Sequence, residues 1–197
     1  GDVRLVELVG RLGQELSEGE IIQLNNTNAS NFSEDVYFEV IKKKTAALFA
    51  TAAEAGAISV KSTDEMAEIS RQFGELIGIS FQIKDDIFDY YSSDVLGKPT
   101  GNDMREGKLT LPVLYVLNTL RNPSMIELAL KIRALDASDE EIAYFIDYVK
   151  QNGGIEYATQ VMIEYRNKAL AILPDDISDE LKIALTSYID YVIERNK

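Results

Sequence analysis

The stretch that decides the fold is residues 78–112, which read GISFQIKDDIFDYYSSDVLGKPTGNDMREGKLTLP. Its first half places three carboxylates, on Asp85, Asp86 and Asp89, among apolar residues. At helical spacing Asp85 and Asp89 are one turn apart on the same face, with Asp86 beside them. Apolar residues around the rest of the helix indicate that it is buried. The stretch therefore predicts an all-α chain in which a buried helix carries an acidic cluster.

This acidic cluster needs a counter-charge, because like charges at helical spacing repel and uncompensated buried carboxylates are unfavourable. A hard divalent cation such as Mg²⁺, bridging the carboxylates to phosphates, would supply it. Lys98 and Lys108 follow in a glycine-punctuated loop, where flexible ammonium groups could reach the same phosphates. The alternative is a solvated acidic face and two solvated loop lysines. Together, the carboxylates, glycines and lysines favour metal-bridged binding of a diphosphate.

Helical periodicity extends over almost the whole chain. Thr63 is expected to be the N-cap of the helix that carries the acidic cluster, and Gly56 the C-cap of the preceding one. Gly74 and Gly78, inside the long helix, should allow a neighbouring helix to approach closely. A loop is expected over 92–107. The predicted helices are 2–25, 33–56, 63–91, 109–120, 124–134, 138–152, 154–173 and 177–195.

Length and composition favour a single helical domain over 1–197. The 197 residues are ample for one core, and 46% hydrophobic with 27% charged residues are ordinary globular values. The chain contains neither an apolar run of about 18–20 residues nor a visible signal peptide, which favours a cytoplasmic protein without stable membrane insertion. A net charge of −13 argues against nucleic acid as the main partner.

Cysteine and histidine are both absent, and their absence excludes several kinds of catalysis. The chain contains no cysteine, so it has neither disulfides nor thiolate chemistry. It also contains no histidine, which excludes Ser-His-Asp triads, zinc sites with histidine ligands and di-iron sites of the Glu-x-x-His type.

An ordered series of motifs runs through residues 81–112, and two further motifs precede it. They are Gly19-Glu20-x-x-Gln23, Lys44-Thr45, Phe81-Gln82, Asp85-Asp86-x-x-Asp89, Gly97-Lys98-x-x-Gly101-x-Asp103 and Gly107-Lys108-x-Thr110-Leu111-Pro112. One DDxxD motif alone is weak, since acidic chains produce it by chance. The whole series is specific, and it closely resembles the second aspartate-rich region of the trans-isoprenyl diphosphate synthases, the polyprenyl synthetase family.

The resemblance implies a helical bundle of the isoprenoid synthase type and a chain-elongating prenyltransferase. Such an enzyme condenses an allylic diphosphate with isopentenyl diphosphate by ionisation, condensation and elimination, with Mg²⁺ as its cofactor. The family's enzymes are typically dimers, so a homodimer is expected for the full-length protein.

The resemblance also assigns roles to individual residues. It implies metal binding by Asp85, Asp86 and Asp89. Substrate-binding roles are implied for Lys44, Phe81, Lys98 and Lys108. Catalytic roles are implied for Lys44, Thr45 and Gln82. In the family, the oxygens that correspond to those of Thr45 and Gln82 help to stabilise a developing carbocation, which suits neutral dipoles.

The family also carries another aspartate-rich motif and an arginine pair upstream of the region matched by Gly19-Glu20, and neither occurs here. The chain therefore resembles the C-terminal portion of a longer synthase, and residues 1–197 alone are expected to make little or no prenyl product. One alternative is a non-catalytic helical subunit of a heteromeric prenyl synthase. Another is a terpene cyclase or squalene-type synthase, although the series from Gly97 to Pro112 favours the chain-elongating group.

Overall fold

In this computed structural model the described residues are 2–27, 31–91 and 100–194, and every regular element among them is helical. The elements are α1 (Val3–Thr27), α2 (Glu34–Ile41), a π-helical turn (Lys42–Ala46), α3 (Ala47–Ser59), α4 (Asp64–Phe88), α5 (Asn102–Arg105), α6 (Leu111–Leu120), α7 (Pro123–Arg133), α8 (Asp139–Gln151), α9 (Gly154–Ala171) and α10 (Asp179–Glu194). The predicted all-α class is confirmed. Across the described ranges, no helix has the length and hydropathy needed to cross a membrane.

The described residues group into two compact units. Unit 1 consists of the described residues in 1–21, 38–82 and 161–196, and unit 2 of those in 22–37 and 83–160. The expectation of a single domain over 1–197 stays a prediction.

In unit 1, α4 packs unusually closely against α3 and the π-helical turn. A Cβ atom added to Gly74 would lie 2.4 Å from the carbonyl oxygen of Phe49, and one added to Gly78 would lie 2.6 Å from the Cα of Ala46. Real Cβ atoms do not approach backbone so closely, so only glycine fits at either position. The close helix approach predicted from these two glycines is confirmed.

In unit 2, α8 packs against α6 and α7. It begins with a capping box, in which the Ser138 hydroxyl accepts the Glu141 N–H and the Glu141 carboxylate accepts the Ser138 N–H. The inward faces of these helices are apolar, as shown by Phe145 and Val149, whose side chains are fully buried.

Two helix ends, at Thr63 and Gly56, were predicted from single residues. Thr63 caps α4 as predicted, because its Oγ1 accepts the N–H of Met66 at 3.1 Å. The prediction that Gly56 ends α3 is wrong, since α3 continues to Ser59. Gly56 is not among the glycines with positive φ. A glycine ends a helix through that left-handed conformation, so here it is simply an interior residue.

The end of α4 and the loop after it also differ from the prediction. α4 ends at Phe88 rather than continuing to residue 91. The following backbone turns away, and the carbonyl oxygen of Asp89 accepts the N–H of Gly101 at 2.8 Å. Residues 92–99 of the predicted loop lie outside the described residues. The remainder, 100–107, contains the short helix α5, which begins directly after Gly101 in its left-handed conformation.

Candidate functional site

In unit 2, Asp86 is a buried carboxylate with a defined partner. Asp86 is only 3% exposed, and its Oδ2 accepts a hydrogen bond of 2.6 Å from the hydroxyl of Tyr37 on α2. Burial, followed by the charge of Asp86, raises the pKa of Tyr37 well above its ordinary value. Tyr37 therefore remains a protonated donor at neutral pH, and it partly offsets the cost of burying the carboxylate.

Asp89 lies just beyond α4 and organises the start of α5. Its Oδ1 accepts the N–H of Asn102 at 2.9 Å, and its Oδ2 accepts the N–H of Asp103 at 3.0 Å. These N–H groups belong to the first turn of α5, where a carboxylate is favourable. Both oxygens of Asp89 thus have a structural role in the described residues, in addition to the predicted role in metal binding.

The chemistry of the acidic residues fits a hard divalent cation. Asp85 and Asp86 are adjacent on α4 and offer only carboxylate oxygens, the donors that Mg²⁺ prefers. Within the described part of the chain, no group of three Asp or Glu residues converges closely enough to hold a metal ion. Mg²⁺ commonly binds through one or two carboxylates together with water and substrate phosphates. The donor set therefore suits a cation shared with a diphosphate; metal binding by Asp85, Asp86 and Asp89 stays a prediction.

Lys108 lies close to this acidic region. Its backbone N–H donates to the carbonyl oxygen of Asp103 at 2.8 Å, and its side chain forms an ion pair with Glu106. Burial and the nearby Asp89 raise the pKa of Asp103 to about 6, and the charge of Lys108 opposes part of that rise. The structure thus brings Lys108 to the acidic region.

Lys98, the other predicted loop ligand, lies outside the described residues.

A second group of predicted residues lies in unit 1. The Thr45 hydroxyl donates to Oε1 of Gln82 at 2.7 Å. Thr45 belongs to the π-helical turn, a distortion that is frequent at functional sites. The structure therefore brings together the two neutral oxygen-bearing side chains that were predicted to act on a carbocation.

Lys44 is held by the Gly19-Glu20 motif of α1. Its Nζ lies 2.5 Å from the carboxylate of Glu20. A Cβ atom on Gly19 would lie 2.8 Å from side-chain atoms of both Lys43 and Lys44, so glycine permits the close approach. The Lys43 ammonium pairs instead with Glu18, at 2.6 Å. The ammonium groups of Lys43 and Lys44 thus pair with different carboxylates, and that of Lys44 pairs with the carboxylate of the motif.

Phe81 is partly buried and packs against apolar residues of unit 1. Its ring centroid lies 5.1 Å from that of Phe49, and it adjoins the buried cluster that includes Ile77 and Ile189. These contacts are those of a core residue. The predicted position of Phe81 beside the substrate stays a prediction.

Sequence reasoning missed Tyr37. A tyrosine on an amphipathic helix is ordinarily interpreted as a core residue, and no motif connects Tyr37 with Asp86, which follows 49 residues later. Only the fold brings the hydroxyl and the carboxylate together. Tyr90, beside Asp89, is also fully buried. Its hydroxyl has no hydrogen-bond partner among the described residues, although Thr110 lies near enough to offset part of the rise in the Tyr90 pKa that burial causes.

Comparison with known proteins gives a consistent result. The model of the polyprenyl synthetase family matches residues 1–149. The chain is 33% identical over 183 residues to a short chain isoprenyl diphosphate synthase of Methanothermobacter thermautotrophicus, covering 92% of this chain and 55% of that protein. It is 31% identical over 191 residues to the octaprenyl diphosphate synthase of Escherichia coli, covering 94% and 58%. The chain thus spans less than two thirds of these relatives.

Solved structures agree with the sequence matches. The crystal structure of geranylgeranyl pyrophosphate synthase from Bacteroides thetaiotaomicron superposes with a TM-score of 0.93 at 50% identity, covering 98% of this chain and 64% of that one. Polyprenyl synthase from Caulobacter crescentus, solved in complex with calcium and isoprenyl diphosphate, gives 0.90 at 31% identity, covering 100% and 60%.

Proposed function

The chain belongs to the polyprenyl synthetase family, and we propose that it forms part of the active site of a chain-elongating prenyltransferase. The proposed reaction condenses an allylic diphosphate with isopentenyl diphosphate and releases pyrophosphate. One observation carries the proposal. Within four residues of α4, the chain presents Gln82, hydrogen-bonded to Thr45, and then the buried carboxylate of Asp86.

The nature of the ligands is supported by the relatives. The Caulobacter crescentus polyprenyl synthase binds calcium and isoprenyl diphosphate. By analogy, this chain takes a divalent cation and a prenyl diphosphate. We assign Mg²⁺ as the cation, because a donor set of carboxylates that leaves positions for water and phosphate is the one that Mg²⁺ favours.

Each group of residues has a defined part in the proposed reaction. Asp85, Asp86 and Asp89 would hold the cation, which when bound neutralises charge on the diphosphate. Lys44 and Lys108, with Lys98, bind diphosphate oxygens as point charges and stabilise the pyrophosphate as the allylic C–O bond breaks. The ammonium group of Lys44 pairs with Glu20, and that of Lys108 pairs with Glu106. A diphosphate therefore competes with these carboxylates for the two lysines.

The Thr45 and Gln82 pair acts on the carbocation. Neutral oxygen dipoles stabilise positive charge without forming a covalent bond to it, and the hydrogen bond between the two side chains holds both in place. The double bond of isopentenyl diphosphate then forms the new C–C bond. The proton that is lost in the last step passes to the released pyrophosphate, so the reaction needs neither histidine nor cysteine.

The assembly of the whole protein is also a proposal. We propose that the full-length protein is a cytoplasmic homodimer. We also propose that residues 1–197 alone make little or no prenyl product. The second candidate function is a subunit of a heteromeric prenyl synthase. It is favoured by one observation, namely that two relatives, from Geobacillus stearothermophilus and Bacillus subtilis, are each named component 2 of a heptaprenyl diphosphate synthase.

The test of the proposed function is a prenyl-transfer assay on the natural full-length protein, with radiolabelled isopentenyl diphosphate and allylic diphosphates of several lengths. We expect labelled product that can be extracted into organic solvent, and only when a divalent cation is present. Asp86→Asn should abolish most of it. Asp139→Asn, which changes an exposed carboxylate of unit 2, is the matched control. Absence of product with every allylic substrate, or equal product from both variants, would refute the proposal.

A further inference from the structure

The hydrogen bond between Tyr37 and Asp86 joins two buried residues. Tyr37 is 7% exposed and Asp86 is 3% exposed, and the distance from the hydroxyl to Oδ2 is 2.6 Å. Hydrogen bonds from a hydroxyl to an ionised carboxylate are short and about twice as strong as neutral ones. In a buried setting such a bond is also protected from competition by water.

This hydrogen bond restricts the orientation of the carboxylate. A carboxylate can rotate about its Cβ–Cγ bond, and this rotation changes the direction in which each oxygen points. The Tyr37 hydroxyl donates to Oδ2, and this hydrogen bond favours one rotation of the Asp86 carboxylate. A metal ligand that is fixed in this way loses less conformational entropy when a cation binds.

Tyr37 can act as a fixed point only if α2 is itself held in place. The segment that leads into α2 is bound by side chains of two other helices. Asn118 on α6 donates to the carbonyl oxygen of Phe32 at 2.8 Å. The buried Arg133 on α7 donates to the carbonyl oxygen of Asn31 at 2.8 Å, and its guanidinium lies 4.8 Å from the centre of the Phe32 ring.

We infer that Tyr37 is a positioning residue, which orients the Asp86 carboxylate for a divalent cation from an α2 helix anchored by Asn118 and Arg133. The inference rests on the proposed function, because it requires Asp86 to be a metal ligand. It goes beyond the aspartate-rich motif, since it assigns a role to a residue on a different helix. Groups that support metal ligands typically contribute about 10–100-fold to metal affinity.

The test measures binding of Mn²⁺ in the presence of pyrophosphate, by the loss of the free-ion electron paramagnetic resonance signal, on the natural full-length protein. Tyr37→Phe removes only the hydroxyl, and we expect it to raise the Kd for Mn²⁺ about 10–100-fold. The matched control is Tyr157→Phe. It removes an equivalent hydrogen bond, of 2.8 Å from the Tyr157 hydroxyl to Glu34 on the same helix α2. The control should leave the Kd unchanged.

The outcomes separate this inference from the proposed function. If the unsubstituted protein binds no Mn²⁺ with pyrophosphate, both are refuted. If it binds Mn²⁺ and Tyr37→Phe binds equally well, or if the control loses as much affinity, only the role of Tyr37 is refuted.

A second measurement does not use the Tyr37→Phe variant. With 3-fluorotyrosine in place of Tyr37, Mg²⁺ and pyrophosphate should shift its ¹⁹F resonance, whereas the same label in place of Tyr157 should not respond. A label at position 37 that does not respond would overturn the inference.

Discussion

Replacing Gly78 by alanine tests the close packing that holds the Thr45 and Gln82 pair. The added Cβ would lie 2.6 Å from the Cα of Ala46 and 3.0 Å from its Cβ. Ala46 follows Thr45 directly, and Gly78 lies one turn before Gln82 on α4. Gly78→Ala must therefore push apart the two segments that carry the hydrogen-bonded pair.

The expected cost follows from two opposing effects. Replacing glycine by alanine inside a helix stabilises it by about 1 kcal/mol. Overpacking a well-packed core costs about 1–3 kcal/mol. The upper end applies here, because the clashing atom is buried backbone rather than the end of a flexible side chain. The net prediction is a loss of about 2 kcal/mol in the free energy of unfolding.

The assay is urea denaturation followed by circular dichroism, with Gly56→Ala as the matched control. Gly56 also lies inside a helix of unit 1, but among the described residues no atom other than those of its chain neighbours and its own helix backbone lies within 4 Å of the position its Cβ would take. The control should gain up to about 1 kcal/mol, so the two variants should change stability in opposite directions. A Gly78→Ala protein as stable as the control would refute the packing argument.

Three further predictions concern the candidate site of the natural full-length protein. Asp85→Ala should lower turnover by at least about 100-fold, because losing a group that only supports a metal ligand already costs up to about that much. Its effect on stability should be small, and unchanged turnover at saturating Mg²⁺ would exclude a metal role for Asp85. Lys98→Ala and Lys108→Ala should each weaken binding of a non-hydrolysable diphosphate analogue, measured by calorimetry, without altering the unfolding curve; normal binding by both would contradict their assignment. The pKa of Asp103 is raised from 3.8 to about 6, so the folded state binds the Asp103 proton more tightly than the unfolded state. The free energy of unfolding should therefore fall as pH rises from about 4 to about 6. Asp103→Asn should flatten that fall in denaturation curves recorded across the range, and an unchanged slope would mean that Asp103 titrates normally.

Local sequence rules predicted α4 well. Its apolar periodicity indicated a buried helix, and Ile79 and Ile83 are fully buried. Thr63 followed ordinary capping chemistry, and Gly74 and Gly78 marked the close approach of a neighbouring helix. These features depend on residues near one another in sequence, or on side-chain size alone, and for that reason the sequence contains the information.

Features that depend on tertiary contacts were not predictable. The four-residue helix α5 is stabilised by the carboxylate of Asp89, which accepts N–H bonds from residues 13 and 14 positions later. Without that acceptor, a sequence containing Gly97 and Gly101 resembles a loop. Similarly, Tyr37 meets Asp86 only because α2 is anchored at Asn31 and Phe32, and none of these contacts leaves a periodic signal in the chain.

The most direct test of the central claim measures the binding of an allylic diphosphate analogue to the natural full-length protein, by calorimetry, with and without Mg²⁺. The claim is that the carboxylates of α4 bind diphosphate through a divalent cation. Mg²⁺ should therefore increase the affinity of the unsubstituted protein, and the double variant Asp85→Asn, Asp86→Asn should lose most of that increase while retaining its helical circular dichroism. If Mg²⁺ has no effect on binding, or if the double variant responds to Mg²⁺ as the unsubstituted protein does, the claim is contradicted.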